Sequence, residues 1–330
     1  MRRIRSPLAW LASSLLTLAL LVGATASASA QQFPGSNPLT IVVSYPPGGL
    51  SDYFARLVAA KLADSLGVTV LVENKPGANG AIGTAFVARA KPDGHTISFL
   101  PASTVTTNQW LMKDMGFDPL KDLTPLTLAL VVPNVLVVPP ASPIKNFAEL
   151  LEVAKAKPGT INFASVGVGS SPHLQGEMLK RLGKIDIVHV AYKGAGPALQ
   201  DLMAGQVQMM FDNLPSVLPM IQAGKLRALA VTSAAPAPLL PDVPPIAKFL
   251  PGFEATPWFG FVGPAGLPKE IVAKLHEHLV RAVKSEEVVK ALQARGGEIV
   301  TSTPEELAKL MRTESQQMQT LIKEAGVSLQ

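Results

Sequence analysis

Apolar and polar positions along the chain follow two alternating patterns, one typical of strands and one typical of helices. Short runs rich in Val, Ile, Leu and Phe lead through turns into segments with apolar positions three and four apart. The predicted strands cover residues 39–44, 68–73, 95–100, 160–164, 186–190, 207–211, 226–231 and 258–262. The predicted helices cover residues 52–66, 81–90, 146–157, 172–182, a segment ending at 204, 217–223, 269–285, 287–294 and 304–325. Strands that alternate with helices predict an α/β protein with a largely parallel sheet.

A long β-like stretch, residues 123–138, interrupts this alternation and contains Pro125 and Pro133. Proline has no N–H to donate to a β-ladder, so a central strand should not run through Pro133. We therefore expect the chain to cross there into a second lobe and to return after the proline-rich residues 233–253. This predicts two α/β lobes with a ligand cleft between them: residues 31–131 plus 256–330 form lobe 1, and residues 132–255 form lobe 2.

Residues 1–30 differ from the rest of the chain. Three arginines within the first five residues precede an apolar stretch, residues 8–22, and Ala28-Ser29-Ala30 follows as a small-residue site. This is the pattern of a secretory signal peptide, and the apolar stretch is short for a membrane span. We expect cleavage near Ala30 and a periplasmic mature protein, with an uncleaved anchor as the alternative.

Composition excludes several kinds of site. The 330 residues include no cysteine, which rules out disulfides, thiolate metal sites and cysteine nucleophiles. Removal of the three leader arginines lowers the formal net charge from +5 to +2, so the mature chain is only slightly basic. No basic tract is interleaved with aromatic residues, and we expect no nucleic-acid partner. His276 and His278 are two apart on a predicted helix and point to different faces, so no metal site is expected there.

The first candidate site is the loop Tyr45-Pro46-Pro47-Gly48-Gly49-Leu50-Ser51-Asp52, which joins a predicted strand to a predicted helix. Its prolines stiffen the entry, and its glycines let the backbone approach a ligand without a Cβ clash. Either Ser51 or Asp52 is expected to cap the helix. Unpaired N–H groups at a helix N-terminus suit an anion, which predicts half of an anion site. The alternative is an ordinary β–α turn.

Other loops follow predicted strands in the same way. Small-residue segments follow the strands near residues 74–80, 101–104, 165–173 and 191–197. Ligands of α/β sheets bind beyond the carboxyl ends of the strands, so loops of both lobes should grip one ligand from two sides. Asp212 also ends an apolar strand. It is either a cap for the next helix or a contact to a ligand hydroxyl, amine or bridging water.

Patterns for nucleotide binding and serine catalysis are incomplete. Gly167-Val168-Gly169-Ser170-Ser171-Pro172 begins like a dinucleotide fingerprint, but proline stands where the third glycine belongs. Ser165 lacks the first glycine of a nucleophile elbow. Ser170 and His173 are three apart, and such a pair is more often a helix cap and a packed imidazole than a catalytic dyad.

Sequence blocks in a fixed order match a known family. They are Pro46-Pro47-Gly48-Gly49-Leu50-Ser51-Asp52, Glu73-Asn74-Lys75-Pro76-Gly77-Ala78-Asn79-Gly80-Ala81-Ile82-Gly83, Pro92-Asp93-Gly94-His95, Ser165-Val166-Gly167-Val168-Gly169-Ser170-Ser171-Pro172-His173-Leu174, Tyr192-Lys193-Gly194, Phe211-Asp212-Asn213-Leu214-Pro215, Gly224-Lys225-Leu226-Arg227-Ala228-Leu229-Ala230-Val231-Thr232, Trp258-Phe259-Gly260 and Pro264-Ala265-Gly266-Leu267-Pro268. From about Pro38 to the C terminus, the chain resembles the Bug-type solute-binding receptors of tripartite tricarboxylate transporters. Asn79 stands where glycine is usual, and His95 where tyrosine is common.

The resemblance implies a type II periplasmic binding-protein fold, two lobes on a two-crossing hinge, that captures a small organic carboxylate for a membrane permease. It implies an anion held by backbone N–H groups, hydroxyls and waters rather than by arginine, without cofactor or metal. Specificity is expected from Leu50, Asn79 and residues 103–107. The loops and the resemblance together predict ligand contacts at Tyr45, Pro47, Gly48, Gly49, Leu50, Ser51, Asn79, Gly80, Ala102, Ser103, Ser165, Gly167, Gly169, Ser170, His173, Tyr192 and Asp212.

The expected partners are the small carboxylate and the integral-membrane permease subunits, and the protein itself is expected to be a monomer. Two other functions stay open at this point. One is a receptor that presents a carboxylate to a sensor kinase, and the other is an enzyme that acts on a carboxylate. The sequence does not name the carboxylate.

Overall fold

The structure is a computed structural model that describes residues 33–325. The predicted signal peptide and its cleavage site lie outside these residues. The strands are β1 Leu39–Val43, β2 Val70–Asn74, β3 Thr96–Pro101, β4 Leu123–Val131, β5 Asn134–Val138, β6 Asn162–Ser165, β7 Val188–Ala191, β8 Met209–Asn213, β9 Arg227–Val231, β10 Trp258–Pro264 and β11 Glu298–Ile299.

The helices agree with the predicted ones within a few residues at most ends. They are α1 Leu50–Leu66, α2 Ala81–Ala88, α3 Ala102–Thr106, α4 Asn108–Leu111, α5 Phe147–Ala156, α6 Ser171–Gly183, α7 Ala195–Met203, α8 Leu214–Gln222, α9 Lys269–Val283, α10 Glu286–Gln293 and α11 Pro304–Ala325. The short helices α3 and α4 and the two-residue strand β11 were not predicted, because such short elements carry no periodic pattern.

The described chain forms two sheets, and each is the centre of one lobe. The first sheet has the strand order β11-β4-β10-β3-β1-β2, and the second has the order β7-β6-β8-β5-β9. We call the first sheet with α1–α4 and α9–α11 lobe 1, and the second sheet with α5–α8 lobe 2. The predicted α/β class with two lobes is confirmed. The exact lobe limits at residues 131/132 and 255/256 stay a prediction.

The expectation of largely parallel sheets is wrong, because both sheets are mixed. Within lobe 1, β1 pairs parallel with β2 and β3, whereas β10 runs antiparallel to β3 and β4. Within lobe 2, β6 pairs parallel with β7 and β8, whereas β5 runs antiparallel to β8 and β9. Each of β5 and β10 is the first strand after a crossing between lobes. The chain arrives at the carboxyl ends of the parallel strands, so its next strand must run away from them.

Each lobe has a core that fixes the loops above it. In lobe 1, Phe54 of α1 packs on Phe99 of β3, with 5.1 Å between ring centroids, and Phe99 also contacts Phe261 of β10 at 4.8 Å. In lobe 2, the fully buried Phe163 and Phe211 lie on one face of the sheet. These apolar faces anchor the strands, so the loops at their ends are held in place on both sides of the cleft.

The two crossings lie side by side. The predicted break at Pro133 is confirmed, since β4 ends at Val131 in one sheet and β5 begins at Asn134 in the other. The N–H of Val132 donates to the carbonyl of Pro257 at 3.0 Å, which joins the first crossing to the second. Thr232 adds a buried link, because its hydroxyl accepts from the N–H of Asn134 at 2.9 Å and donates to the carbonyl of Ala255 at 2.7 Å.

Candidate ligand-binding site

A cavity of about 330 Å³ lies between the lobes, where the carboxyl ends of β1, β3 and β8 face each other. Eight of the predicted contact residues line it: Tyr45, Gly49, Leu50, Ser51, Ala102, Ser103, Ser170 and Asp212. The other nine are not among the lining residues: Pro47, Gly48, Asn79, Gly80, Ser165, Gly167, Gly169, His173 and Tyr192. The loops of both lobes therefore converge on one cavity as expected, but nine of their predicted contact residues lie away from its wall.

The loop before α1 supplies one wall of the cavity. Gly48 has φ +93°, a conformation that favours glycine, and helix α1 begins at Leu50. The expectation that Ser51 or Asp52 caps this helix is wrong, since Gly49 occupies the capping position and no side chain caps there. Asp52 instead accepts from the N–H of Gly48 at 3.1 Å. The first-turn N–H groups have no partner inside the helix, and Leu50 and Ser51 lie at the cavity.

Asn79 lies inside the protein rather than at the cavity wall. Its Nδ2 donates to Asn108 Oδ1 at 2.7 Å, and its Oδ1 accepts from the Tyr45 hydroxyl at 2.7 Å. The carbonyl of Asn79 accepts from Asn108 Nδ2 at 2.9 Å. Its φ of +47° is one that asparagine tolerates better than most residues, which explains how it replaces glycine. Asn79 therefore positions Tyr45, whose pKa is raised by burial to about 12, so that this side chain stays a neutral hydroxyl.

The loop before α6 is held from behind by two histidines. The N–H of Gly169 donates to His173 Nδ1 at 3.1 Å, and Ser165 Oγ bonds His189 Nε2 at 2.7 Å. The two imidazoles stack with 4.0 Å between centroids. Burial lowers the pKa of each to about 4, aided by Lys180 beside His173 and by His173 beside His189, so both are neutral at pH 7.

As expected from the sequence, Ser170 and His173 do not form a catalytic dyad. Ser170 Oγ donates to the carbonyl of Gly167 at 2.6 Å, whereas His173 accepts from Gly169. Ser165 is fully buried and is not at the cavity. Tyr192 is also engaged elsewhere, since its hydroxyl donates to Asp201 Oδ2 at 2.7 Å. These groups support the loops of lobe 2.

Asp212 is the one carboxyl side chain that was predicted to contact a ligand, and it lines the cavity. It is 1% exposed and lies within β8. Its Oδ1 accepts from the N–H of Asn213 at 2.8 Å, and its Oδ2 is buried without a hydrogen-bond partner. Helix α8 begins only at Leu214, so the bond to Asn213 does not cap it. Burial raises the pKa of Asp212 to about 7, although the hydrogen bonds from Asn213 oppose the rise.

The last helix, α11, forms a cavity wall that sequence reasoning missed. Glu314, Gln317, Met318 and Leu321 line the cavity at the spacing of one helical face. Glu314 accepts from the Trp258 indole N–H and from Thr106 Oγ1. Burial raises its pKa, while these two hydrogen bonds lower it. The sequence carried one signal of this wall, because Glu314 lies on the same helical face as the apolar Met318 and Leu321. That face of an amphipathic helix usually packs against the core, so the signal was not interpreted as a cavity wall.

Further lining residues were also missed. They include Ser171, Gln175, Asn213, Ser216 and Glu254, which lie at the start of α6, within it, around the start of α8 and before the second crossing. The ionisable lining side chains of the described chain are then Asp212, Glu254, Glu314 and Tyr45, and none is a lysine, arginine or histidine. The anion contacts that the resemblance implied, from N–H groups and hydroxyls rather than arginine, stay a prediction.

The lobes touch at the edge of the cavity. A Cβ placed on Gly194 would lie 2.8 Å from Cγ of Pro46, and one placed on Gly169 would lie 3.0 Å from Cδ1 of Leu111 and 3.2 Å from Asn108 Oδ1. Each contact joins a glycine of lobe 2 to a residue of lobe 1. The small residues of these loops therefore permit close approach of the lobes as well as of a ligand.

Residues 33–325 contain neither a membrane-spanning helix nor a cluster of metal ligands. No helix there is long and apolar enough to cross a membrane. No group of three or more His, Asp or Glu side chains in that part of the chain could hold a metal ion.

Residues 54–327 match the model of the tripartite tricarboxylate transporter family receptor. The chain belongs to this receptor family. Among its relatives, a protein from the tcbD-tcbE intergenic region of Pseudomonas sp. (strain P51) is 38% identical, with 94% of this chain and 92% of the relative covered. Protein BugT of Bordetella pertussis is 36% identical, with 93% and 94% covered.

Solved structures of similar receptors share the fold. The periplasmic binding protein BugD has a TM-score of 0.85 at 35% identity, covering 89% of this chain and 99% of BugD. Rpa4515 of R. palustris, determined with adipate, has a TM-score of 0.86 at 33% identity, covering 90% of this chain and 99% of Rpa4515. MatC of Rhodopseudomonas palustris, with bound malate, has a TM-score of 0.83 at 33% identity, covering 88% of this chain and 100% of MatC. The two-lobed periplasmic binding-protein fold is confirmed, and these homologues are binding proteins rather than enzymes.

Proposed function

We propose that this receptor captures a small organic carboxylate in the cavity between its lobes. The supporting observation is that helix N-termini from opposite lobes meet at one cavity. Leu50 and Ser51 begin α1 in lobe 1, and Ser170 and Ser171 lie at the start of α6 in lobe 2. Unpaired N–H groups and the helix dipole stabilise an anion at both places. The carboxylates named for the similar Rpa4515 and MatC, adipate and malate, support the same class of ligand.

The strength of such a site is sufficient without a cationic side chain. Micromolar binding corresponds to about −8 kcal/mol. Each hydrogen bond to a charged group contributes roughly 1.5–3 kcal/mol, so four or five of them would exceed the costs of association. First-turn N–H groups and the Ser103 hydroxyl provide donors of this kind at the cavity, whereas the hydroxyl protons of Tyr45 and Ser170 are donated to Asn79 and Gly167.

The site residues that we propose for ligand contact are therefore those of the cavity wall. They comprise the eight predicted residues that line it and, in addition, Ser171, Gln175, Asn213, Ser216 and Glu314. The remaining predicted residues act by holding these in place, as Asn79 does for Tyr45.

We further propose that residues 1–30 are removed on export, that the mature monomer works in the periplasm, and that it delivers its ligand to the permease subunits of a tripartite transporter. Membership of the receptor family supports each step. Intact-mass measurement of the exported protein should show a chain that begins near Gln31. A chain retaining Met1 in the membrane fraction would contradict this.

The test of ligand class is mass spectrometry of compounds released from the purified native protein, followed by calorimetric titration with malate, adipate and each released compound. We expect a small carboxylate with a dissociation constant in the micromolar range or below. Gly49→Val places a branched side chain at the cavity wall and should abolish the binding. Release of uncharged compounds only, together with no heat from carboxylates, would contradict the proposal.

A further inference from the structure

The lobe 2 wall of the cavity has hydrogen-bond acceptors in excess. In the part of the chain that the structure describes, Asp212 Oδ2, Ser216 Oγ and Asn134 Oδ1 are buried and have no hydrogen-bond partner. Asp212 and Ser216 line the cavity, and Asn134 lies on the neighbouring strand, opposite Asn213. Asn134 Oδ1 only accepts, Asp212 Oδ2 only accepts when the carboxyl is ionised, and Ser216 Oγ is a hydroxyl that can do either. The part of the wall around Asp212 therefore offers unpaired acceptors.

Asp212 is the clearest example of an unpaired acceptor, because one of its two oxygens already has a hydrogen-bond donor and the other has none. Oδ1 accepts from the Asn213 N–H at 2.8 Å, and Asn213 Nδ2 adds a longer contact at 3.4 Å. Oδ2 has no such donor, although the side chain is 1% exposed. A buried acceptor without a partner weakens the folded state, and such groups are rare in native proteins. A donor brought into the cavity by a ligand would satisfy it.

Charge at the cavity points the same way. Glu314 faces the cavity from lobe 1 and Glu254 lies near the second crossing, so both lobes present carboxyl groups. Glu314 already accepts from Trp258 and Thr106. No lysine, arginine or histidine of the described chain lines the cavity. At pH 8, where Asp212 is ionised, a ligand carboxylate placed there would meet a like charge without a cation between them, whereas a donor group would be complementary.

We propose that the ligand is a small carboxylate that also carries a hydrogen-bond donor, an amide, ammonium or hydroxyl group, which Asp212 Oδ2 accepts. This rests on the proposed function, because the ligand carboxylate is taken to occupy the helix N-termini of the same cavity. The donor then lies at the far end of the ligand, against the lobe 2 strand β8. Asp212 thus selects against dicarboxylates that lack such a group.

Two sets of ligands matched in chain length test this by calorimetric titration at pH 8. One set is succinate, succinamate, 4-aminobutanoate and 4-hydroxybutanoate, and the other is adipate, adipamate, 6-aminohexanoate and 6-hydroxyhexanoate. In at least one set, a donor-bearing member should bind about tenfold or more tightly than the unsubstituted dicarboxylate, as one gained hydrogen bond to a charged group implies. The amide, ammonium and hydroxyl members show which donor is used.

Asp212→Asn provides a second test, because asparagine keeps the shape of the side chain and replaces one carboxylate oxygen with an amide donor. It should weaken the preferred donor-bearing ligand about tenfold or more and should spare or strengthen the dicarboxylate, which reverses the ranking. Glu254→Gln removes one negative charge from the same cavity at an exposed position, and it should shift both ligands in the same direction. Thermal unfolding confirms that each variant is folded.

The outcomes separate the two proposals. If succinate or adipate binds more tightly than every donor-bearing partner of its length, or if Asp212→Asn weakens all ligands equally, the donor proposal is overturned and the carboxylate site stands. If the wild-type protein binds none of the eight compounds and releases no carboxylate on denaturation, the proposed function itself fails. If Asp212→Asn does not fold, the wild-type ranking alone decides.

Discussion

Gly194 of lobe 2 lies directly against Pro46 of lobe 1, with so little space that a Cβ on Gly194 would approach the proline Cγ to 2.8 Å and its Cδ to 3.0 Å. Pro46 lines the cavity and Gly194 precedes helix α7. The contact thus joins the lobes beside the proposed ligand. Gly196, two residues further along, has no atom within 4 Å of a Cβ built on it.

We expect Gly194→Ala to weaken carboxylate binding about tenfold or more, because a forced contact of this kind costs roughly 1–3 kcal/mol and opposes the approach of the lobes. Calorimetric titration measures the loss, and Gly196→Ala is the matched control. The φ of Gly194 is +124°, so alanine also strains the backbone. The double variant Pro46→Ala with Gly194→Ala separates the two effects, since removal of the proline ring should restore part of the affinity. Wild-type affinity in Gly194→Ala would show that the contact does not matter.

Asp212 should make the protein less stable as the pH rises. The pKa of this carboxyl has an ordinary value of 3.8 and is about 7 in the folded protein, so the folded state binds the extra proton between these values. Stability therefore falls as the pH rises from about 4 to about 7, and the full cost, on the order of 4 kcal/mol at most, is present above pH 7. Asp212→Asn removes the titrating group.

The measurement is urea unfolding of wild type and Asp212→Asn at pH 4.5 and pH 8. The variant should gain stability relative to wild type at pH 8, and the difference should be much smaller at pH 4.5. A difference that is the same at both values would mean that the carboxyl does not titrate in this window.

The histidine pair should have the opposite effect at acid pH. The pKa values of His173 and His189 fall from 6.5 to about 4 on folding, because burial disfavours the charged rings. The unfolded chain therefore takes up protons first, and stability is lost as the pH falls from about 6.5 to about 4. Lys180 and Glu177 are the charged neighbours, with opposite effects on His189.

Substitutions that imitate the bonding nitrogens isolate this effect. In His173→Asn the amide oxygen can accept from the Gly169 N–H, and in His189→Gln the amide can bond Ser165. We expect each variant to lose less stability than wild type between pH 7 and pH 4.5 in urea unfolding. Parallel curves for variant and wild type would contradict neutral, buried imidazoles.

Much of the fold could be predicted from the sequence, because strand and helix periodicities and the proline at residue 133 are local signals. The direction of β5 and β10 could not, since it depends on where a crossing delivers the chain. For the candidate site, loop position predicted Leu50, Ser170 and Asp212, which line the cavity. The place of Asn79 behind the cavity wall could not be predicted, because its partner Asn108 is 29 residues away. The position of Glu314 at the cavity depends on the tertiary packing of α11.

Trp258 should report on the cavity through Glu314. The Trp258 indole is 5% exposed and donates to the Glu314 carboxylate, which lines the cavity. Trp110→Phe leaves Trp258 as the only tryptophan of the described chain, and its fluorescence should change on addition of a bound carboxylate. Glu314→Ala leaves the buried indole N–H unpaired and should lower the unfolding free energy by about 1–3 kcal/mol. A fluorescence signal unaffected by saturating ligand would place the ligand away from α11.

The last prediction concerns motion about the two crossings. The chain passes between the sheets at residues 132–133 and 255–257, and the Thr232 hydroxyl links these segments through the Asn134 N–H and the Ala255 carbonyl. A ligand that contacts both lobes favours the arrangement in which they are close, so small-angle scattering should show a smaller radius of gyration with saturating ligand.

Thr232→Val keeps the shape of the side chain but leaves the Asn134 N–H and the Ala255 carbonyl buried and unpaired. It should lower the unfolding free energy by about 1–3 kcal/mol and weaken binding, because a looser pair of crossings loses more freedom on closure. Thr232→Ser retains the hydroxyl and should behave closer to wild type. Equal stability and affinity in the valine and serine variants would show that the link does not hold the crossings together, and an unchanged radius with ligand bound would show that the lobes do not move.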